Sequence, residues 1–279
     1  MQTFKWRLKA VPMLFVLAFN PALTLHTAKA PIEIHQREAV HTENSSRSEN
    51  FPIILYHHIR PLTPNMSQLA RGLSVTPSVF EEQLRYLTSH NYDSMPLRDF
   101  AANVTAKLPI QSKSFALTFD DGYGDFYTHA WPLLKRYKVH GTLFVIINRI
   151  GTPDYVTWEQ VKELDASGLV SIESHTLNHP QLSNLTQQKA IFEIEQSKKI
   201  LEQRLGHSVT LFCYPYGRYT QEIAKAVKQA GYSAAITTKG GTTHSPHSLF
   251  ELRRVRLSTS DTGTVLERKV LSFFGQKTP

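Results

Sequence analysis

Short apolar runs alternate with longer segments of helical period along most of this 279-residue chain. The apolar runs predict strands at residues 53–56, 115–119, 142–147, 169–172, 210–213 and 234–237. The helical periods predict helices at residues 76–90, 127–137, 157–166, 186–205, 220–230 and 264–274. Strands that are separated by helices predict a parallel sheet and therefore an α/β fold. The pattern alone leaves open whether that sheet closes into a barrel or stays open and doubly wound.

One predicted strand runs directly into two carboxylates. Asp120, Asp121 and Gly122 follow at once on the β-forming residues 115–119. The carboxyl ends of strands are where barrel folds place their chemistry. Neighbouring side chains on an extended segment point in different directions, so one carboxylate can bind a metal while the other faces water or substrate. A strand followed by an ordinary Asp-Gly turn explains the same residues without any chemistry.

A pair of histidines follows a later strand. His175 comes just after the predicted strand 169–172, and Pro180 directly follows His179, which favours a strand-end loop over a helix. Two imidazoles and one carboxylate suit Zn²⁺ or a similar divalent ion and leave positions open for water and substrate. With 13 His in the chain a chance pair is an alternative. Together with the paired carboxylates, the pattern predicts Asp121, His175 and His179 as metal ligands.

These segments carry a family resemblance. Residues 118–122 (TFDDG) and 175–179 (HTLNH) resemble the first two motifs of the polysaccharide deacetylases, the NodB-homology or carbohydrate esterase 4 family. Residues 213–217 (CYPYG) lie at the place of the third motif, and the likeness extends over residues 51–257. It is strongest to the branch that deacetylates poly-N-acetylglucosamine in biofilm matrices, in which the barrel resembles a circular permutation.

The resemblance implies a distorted (β/α) barrel of the NodB type, circularly permuted, that hydrolyses N-acetyl groups and releases acetate. It implies a polysaccharide substrate that resembles poly-β-1,6-N-acetylglucosamine. It also implies a divalent metal ion, with Zn²⁺ expected first and Co²⁺, Ni²⁺ or Mn²⁺ as alternatives. Peptidoglycan or chitooligosaccharide N-deacetylation remains open, because the motifs do not separate these substrates. A non-catalytic polysaccharide-binding protein on the same fold also remains open, but it predicts a broken ligand set.

The general acid is expected near the first strand. Removing an acetyl group from an amino sugar requires a proton for the departing amine, and His is the side chain best suited to give it near neutral pH. The last forty residues contain no Leu-x-x-His element. The resemblance instead places the acid in a Tyr-His element, here His57. The side chain of His58 should point the other way. A strand-end His pair with no role is the alternative.

The remaining site residues follow from the resemblance. Asp120 is expected to act as general base, and the backbone N–H of Tyr216 is expected to receive the oxyanion. Cys213 stands where the family usually has the Arg that orients the base, and a nucleophilic role for it is disfavoured because no thiolate-activating group is evident. The fourth motif's Asp-Trp pair is also missing. Its place is taken by residues 252–256 (LRRVR), of which Arg254 is expected to hold a carboxylate. Three solvated arginines on an edge strand are the alternative.

The first thirty residues predict export. A basic start, an apolar run over residues 10–25 and Ala28-Lys29-Ala30 are typical of a cleaved secretory signal. A retained anchor is the alternative, which two prolines and an asparagine inside the run disfavour. Cleavage removes four basic residues and lowers the net charge from +8 to +4. The remaining charge gives no reason to expect nucleic acid, and we expect the protein in the periplasm, outside the cell or at its surface.

The rest of the chain predicts one domain. Residues 31–50 are polar and predict a flexible lead-in, and residues 51–275 are long enough for one deacetylase domain. The single cysteine permits no intramolecular disulfide. We expect a monomer, with an export partner at the membrane surface or envelope. Trp131 and Trp158 could stack on sugars, but their helical spacing favours the core.

Overall fold

The computed structural model describes residues 48–276. The predicted signal peptide and most of the predicted lead-in lie outside the described residues. The last two residues of the lead-in, Glu49–Asn50, form a short strand that pairs with Thr243–His244. No helix within residues 48–276 is long and apolar enough to cross a bilayer.

Twelve strands are present in the described part of the chain. They are β1 (Glu49–Asn50), β2 (Ile53–Tyr56), β3 (His58–Ile59), β4 (Ser74–Val75), β5 (Asp93–Ser94), β6 (Ser114–Phe119), β7 (Gly141–Val145), β8 (Val170–Ser174), β9 (Leu211–Cys213), β10 (Ala234–Gly240), β11 (Thr243–His244) and β12 (Leu252–Arg256). Seven of them run parallel in the order β2, β6, β7, β8, β9, β10, β12, and β12 pairs with β2 to close the ring. The closed ring confirms the distorted (β/α) barrel and excludes the open sheet.

Eight α-helices are present in residues 48–276, seven between these strands and one after the last. They are α1 (Gln68–Gly72), α2 (Pro77–Ser89), α3 (Leu97–Ala106), α4 (Trp131–Tyr137), α5 (Trp158–Ala166), α6 (Gln187–Leu205), α7 (Gln221–Gln229) and α8 (Gly263–Phe273). Threonine caps begin several of them. Thr76 accepts the backbone N–H of Val79 and Pro77 occupies the first helical position, which confirms the predicted start of α2.

Two apolar clusters fill the molecule. The smaller one fills the barrel, because it takes side chains from six of the seven ring strands, all except β8: Ile53, Ala116, Phe144, Leu211, Cys213, Ala234, Ile236 and Leu252. Helix α3 closes the amino end of the barrel with Leu97, Phe100 and Val104, which belong to the same cluster. The larger cluster packs the outer faces of the strands against the helices, and it includes Trp131 with Trp158 against its edge. Trp131 is therefore a core residue, and the partly buried Trp158 packs against the core.

Three segments differ from the sequence prediction. Helix α3 was not predicted, because it begins after Pro96 without a side-chain cap to announce it. The predicted helix 127–137 is divided into a π-helical turn, Phe126–Ala130, and α4, because Pro132 has no N–H for the helical ladder. Strand β12 lies between β10 and β2 inside the closed ring, so residues 252–256 are not an edge strand.

A buried histidine lies at the closed end of the barrel. The His244 side chain is 1% exposed, and its ring packs edge-on against Phe100. Its Nε2–H donates to the carbonyl of Phe51 (3.0 Å), whereas Nδ1 has no hydrogen-bond partner among residues 48–276. Burial lowers the pKa of His244 to about 4, helped by the charge of Arg253 and opposed by the Phe51 carbonyl.

We expect this histidine to make folding weaker in acid. Between about pH 6.5 and about pH 4, the unfolded chain binds a proton on His244 that the folded chain excludes, so stability is lost as the pH falls. The expected contribution is about 2–3 kcal/mol between pH 7.5 and 4.5. His244→Gln keeps a donor for the Phe51 carbonyl and removes the titration. Urea unfolding at both pH values should show the smaller loss in the variant, and equal losses would contradict the expectation.

Candidate active site

The strand register brings the predicted site residues to the carboxyl end of the barrel. Side chains two residues apart on a strand share a face. Counting in steps of two from the interior residues of β6, β2 and β12 leads to Asp120, His57 and Arg254. These side chains therefore meet over the barrel interior, although they are far apart in sequence.

The backbone separates the two carboxylates where β6 ends. Asp121 and Gly122 both have left-handed φ angles, 76° and 80°. A Cβ at position 122 would lie 3.1 Å from a methyl group of Val145, so glycine suits both the turn and the close approach. This turn lets Asp120 face Arg254 while Asp121 faces the histidines.

Three potential ligand atoms lie close together at this turn. The Oδ1 atom of Asp121 is 3.4 Å from Nε2 of His175 and 3.4 Å from Nε2 of His179, and the two Nε2 atoms are 3.2 Å apart. Zn²⁺ bonds of about 2.0–2.2 Å at tetrahedral angles hold neighbouring ligand atoms roughly 3.3–3.6 Å apart. One divalent ion therefore fits these side chains as they stand.

The hydrogen bond of His175 fixes which nitrogen is free. Its Nδ1 lies 2.7 Å from the carbonyl oxygen of Cys213, which only accepts, so Nδ1 carries the proton. The lone pair is then on Nε2, the atom that faces Asp121 and His179. This outer partner is what a metal-binding imidazole requires. His175 is buried, whereas the His179 side chain is 20% exposed and forms the open side of the group.

Asp120 is held by Arg254. Two parallel hydrogen bonds of 2.7 Å join the guanidinium to both carboxylate oxygens, and the guanidinium also donates to the Thr237 carbonyl and the Thr118 hydroxyl. Both side chains are almost fully buried. Burial alone would raise the pKa of Asp120, but the Arg254 charge and hydrogen bonds outweigh it and hold that pKa below its ordinary value. Asp120 is therefore an oriented, ionised carboxylate.

A second group of side chains could be considered for a metal. Asp120, His175 and Cys213 also bring potential ligand atoms together in a fully buried position. The Arg254 guanidinium contacts both Asp120 and the Cys213 sulfur (3.6 Å), and Nδ1 of His175 already carries a proton that it donates to the Cys213 carbonyl. A cation there would meet a buried positive charge, so the structure favours the group with Asp121.

The side chains of His57 and His58 point in different directions. His57 directs Nε2 toward Asp120, 3.9 Å from its Oδ2, and its side chain is 15% exposed. Burial lowers the pKa of His57, although the charges of Asp120 and Asp121 oppose this. His58 instead contacts Asp125 through Nδ1 (2.6 Å) and stacks on Tyr123. The side chain of His58 therefore lies outside the group around Asp120, as the sequence predicts.

Tyr216 lies on the rim of the site. It has a left-handed φ of 60°, its side chain is 59% exposed, and its ring packs against His179 with centroids 4.7 Å apart. The next residue, Gly217, approaches Thr238 so closely that a Cβ would lie 2.1 Å from the Thr238 hydroxyl. These contacts bring the Tyr216 loop beside the ligand group, and the role of its backbone N–H stays a prediction.

The sequence does not reveal the groups that hold the candidate ligand side chains in place. The Cys213 carbonyl, which orients His175, has no sequence signal because every residue has a carbonyl. The carboxylate of Glu193 accepts the backbone N–H groups of Leu177 and Asn178, between the two histidines. Glu193 lies on α6 among many charged residues, and its burial alone sets it apart.

Several known proteins are similar to this chain. The sequence profile described as polysaccharide deacetylase matches residues 107–235. YxkH of Bacillus subtilis (strain 168), itself described only provisionally as a polysaccharide deacetylase, is 33% identical over 220 residues, which cover 79% of this chain and 76% of YxkH. The poly-beta-1,6-N-acetyl-D-glucosamine N-deacetylase of Staphylococcus aureus (strain N315) is 27% identical over 268 residues, covering 86% of this chain and 90% of that protein.

Solved structures agree with the fold. The deacetylase PplD of Streptococcus pyogenes, in complex with acetate, matches with a TM-score of 0.72 and 28% identity, over 80% of this chain and 99% of PplD. IcaB from Ammonifex degensii matches with a TM-score of 0.70 over 79% of this chain and 97% of IcaB, and its 22% identity supports the fold alone. The barrel is thus of the NodB type. The chain belongs to the polysaccharide deacetylase family.

Proposed function

We propose that the protein is a metal-dependent N-deacetylase of an exported polysaccharide that resembles poly-β-1,6-N-acetylglucosamine. One observation carries this proposal: three ligand atoms 3.2–3.4 Å apart lie beside a carboxylate that Arg254 orients. The whole predicted set is present, which argues against a protein that only binds glycan. The substrate class is supported by the Staphylococcus aureus relative, whose similarity extends over 86% of this chain.

The residues fit a resident divalent ion. Asp121, His175 and His179 would hold it, with one carboxylate oxygen and two Nε2 atoms facing each other. Such an ion would lower the pKa of a bound water and polarise the acetyl carbonyl. Oxygen and nitrogen donors in this number suit Zn²⁺ first, with Co²⁺, Ni²⁺ and Mn²⁺ as alternatives.

The chain's own residues would move the protons. Asp120 would take a proton from the water that attacks the acetyl carbon, while Arg254 keeps its carboxylate in place. The backbone N–H of Tyr216 would donate to the oxyanion. His57, whose Nε2 lies 3.9 Å from Oδ2 of Asp120, would give a proton to the sugar nitrogen as the carbon–nitrogen bond breaks. The products are acetate and a free amino sugar, so the atoms of amide and water are all accounted for.

We also propose that the protein is exported, because its proposed substrate lies outside the cytoplasm. The predicted signal peptide supports export, and the protein would lie in the periplasm, outside the cell or at its surface. For its assembly, we propose a monomer that acts with a partner at the membrane surface or envelope.

Acetate release tests the proposed function. Residues 31–279, loaded with Zn²⁺ or Co²⁺, should release acetate from β-1,6-linked N-acetylglucosamine oligomers faster than from β-1,4-linked ones. A chelator should abolish release, and added metal should restore it. Preference for β-1,4-linked oligomers would instead favour wall or chitin-type substrates. Glycan binding without metal or acetate would show a non-catalytic binding protein.

A further inference from the structure

The loop that carries both histidines has an unusual backbone. Thr176 and His179 have left-handed φ angles of 69° and 60°, although neither is glycine. Side chains rarely adopt this conformation unless surrounding contacts enforce it. The positions of both ligand imidazoles depend on it, because the loop begins at His175 and ends at His179.

One carboxylate holds the inner part of this loop. Oε2 of Glu193 accepts the backbone N–H groups of Leu177 and Asn178, both at 3.0 Å, and Oε1 accepts the side-chain amide of Asn178 at 2.7 Å. Glu193 is 8% exposed and forms no salt bridge among residues 48–276. A buried carboxylate is costly unless hydrogen bonds compensate it, and here three N–H donors of one loop do so.

The loop is held from its other side as well. The segment after β7 donates from the backbone N–H groups of Ile147 and Asn148 to the carbonyls of Thr176 and Leu177. The Asn148 side-chain amide donates to Oδ1 of Asn178 at 2.7 Å. Glu193 therefore accepts the N–H groups of the loop that do not bond to that segment. A row of hydrogen bonds runs from the Asn148 amide to the Asn178 amide and from there to the Glu193 carboxylate.

We propose that Glu193 is a positioning residue that sets the 175–179 loop, and through it the two imidazoles, before any ion binds. The inference rests on the proposed function only in taking His175 and His179 as ligands. Glu193 would touch neither ion nor substrate. Its carboxylate is required because it has only acceptors on the side that faces the loop.

The amide variant sharpens this requirement. In Glu193→Gln, the introduced amide oxygen can still accept the two backbone N–H groups, but the introduced NH₂ then faces the NH₂ of Asn178. Adding Asn178→Asp reverses the direction of that bond, since the new carboxylate accepts from the introduced amide on one side and from Asn148 on the other. The pair of substitutions therefore restores every hydrogen bond without restoring the original residue.

Metal affinity and amide exchange test the proposal. Glu193→Gln should weaken Zn²⁺ affinity, measured by competition with a chromophoric chelator, by about 10–100-fold. The metal-free variant should exchange the amides of Leu177 and Asn178 faster than wild type, and its visible Co²⁺ spectrum should change once that ion is added. The double variant should recover Zn²⁺ affinity to within about threefold of wild type. Glu195→Gln, which changes an exposed acid on the same helix, should behave like wild type.

The outcomes separate the two proposals. Wild-type Zn²⁺ affinity and unchanged amide exchange in Glu193→Gln would overturn the positioning role. A double variant that folds but binds Zn²⁺ as weakly as Glu193→Gln would also overturn the positioning role. Even where the single variant folds poorly, the Zn²⁺ affinity of the folded double variant remains a valid test. Neither readout requires catalysis, so a protein that released no acetate from any glycan would refute the proposed function while leaving this test intact.

Discussion

Asp120→Asn is expected to lower kcat for acetate release by about 10²–10⁴-fold, the range that a general base contributes. The amide keeps the size of the carboxylate and its place beside Arg254, but it cannot take a proton from water. Asp120 contributes none of the three atoms that face each other in the ligand group. Zn²⁺ affinity should therefore stay within a few-fold of wild type while turnover is lost.

A nearby carboxylate provides the matched control. Asp154 is exposed on the loop after β7, where its carbonyl accepts the N–H of Gly124, and it has a left-handed φ of 71° that Asn also tolerates. Asp154→Asn should keep wild-type turnover. Acetate release by Asp120→Asn at a rate close to wild type, with metal bound, would show that another group takes the proton.

Local sequence predicts most of the proposed ligand set. Asp120 and Asp121 follow a strand whose six residues are all buried, and His175 follows the next strand but one in the ring, so the pattern of strand ends suffices to bring them together. His179 is only four residues further on. The alternation of strands and helices does not by itself predict a closed barrel, because an open parallel sheet has the same alternation.

Long-range partners are what the sequence could not supply. Arg254 is 134 residues from Asp120, and an alternating Leu-Arg-Arg-Val-Arg segment is equally typical of an exposed edge. Only the ring closure between β12 and β2 turns Arg254 inward and leaves Arg253 outside. Glu193 presents the same difficulty, because nothing in the sequence of a polar helix indicates that this carboxylate is buried against the 175–179 loop.

Arg254→Met is expected to destabilise the domain by about 3–5 kcal/mol, because it leaves the Asp120 carboxylate buried without its charge partner. The side chain keeps much of its apolar length, so the loss reports the ion pair more than the packing. Turnover should also fall strongly, since nothing then orients Asp120, the proposed base. Urea unfolding and acetate release measure the two effects. Arg254→Lys should be intermediate, because one ammonium cannot reproduce two parallel hydrogen bonds.

A double-mutant cycle isolates the pair. In Asp120→Asn with Arg254→Met both buried charges are gone, so the double variant should be more stable than Arg254→Met alone, with coupling of roughly 1–3 kcal/mol between the sites. Arg253→Met changes the neighbouring exposed arginine and should stay within about 0.5 kcal/mol of wild type. Equal losses in the free energy of unfolding for Arg253→Met and Arg254→Met would mean that the buried ion pair adds no stability of its own. Because Arg254 lies on the last strand of the ring and Asp120 directly follows the second, a strong coupling would also show that a contact formed by closing the barrel contributes to its stability.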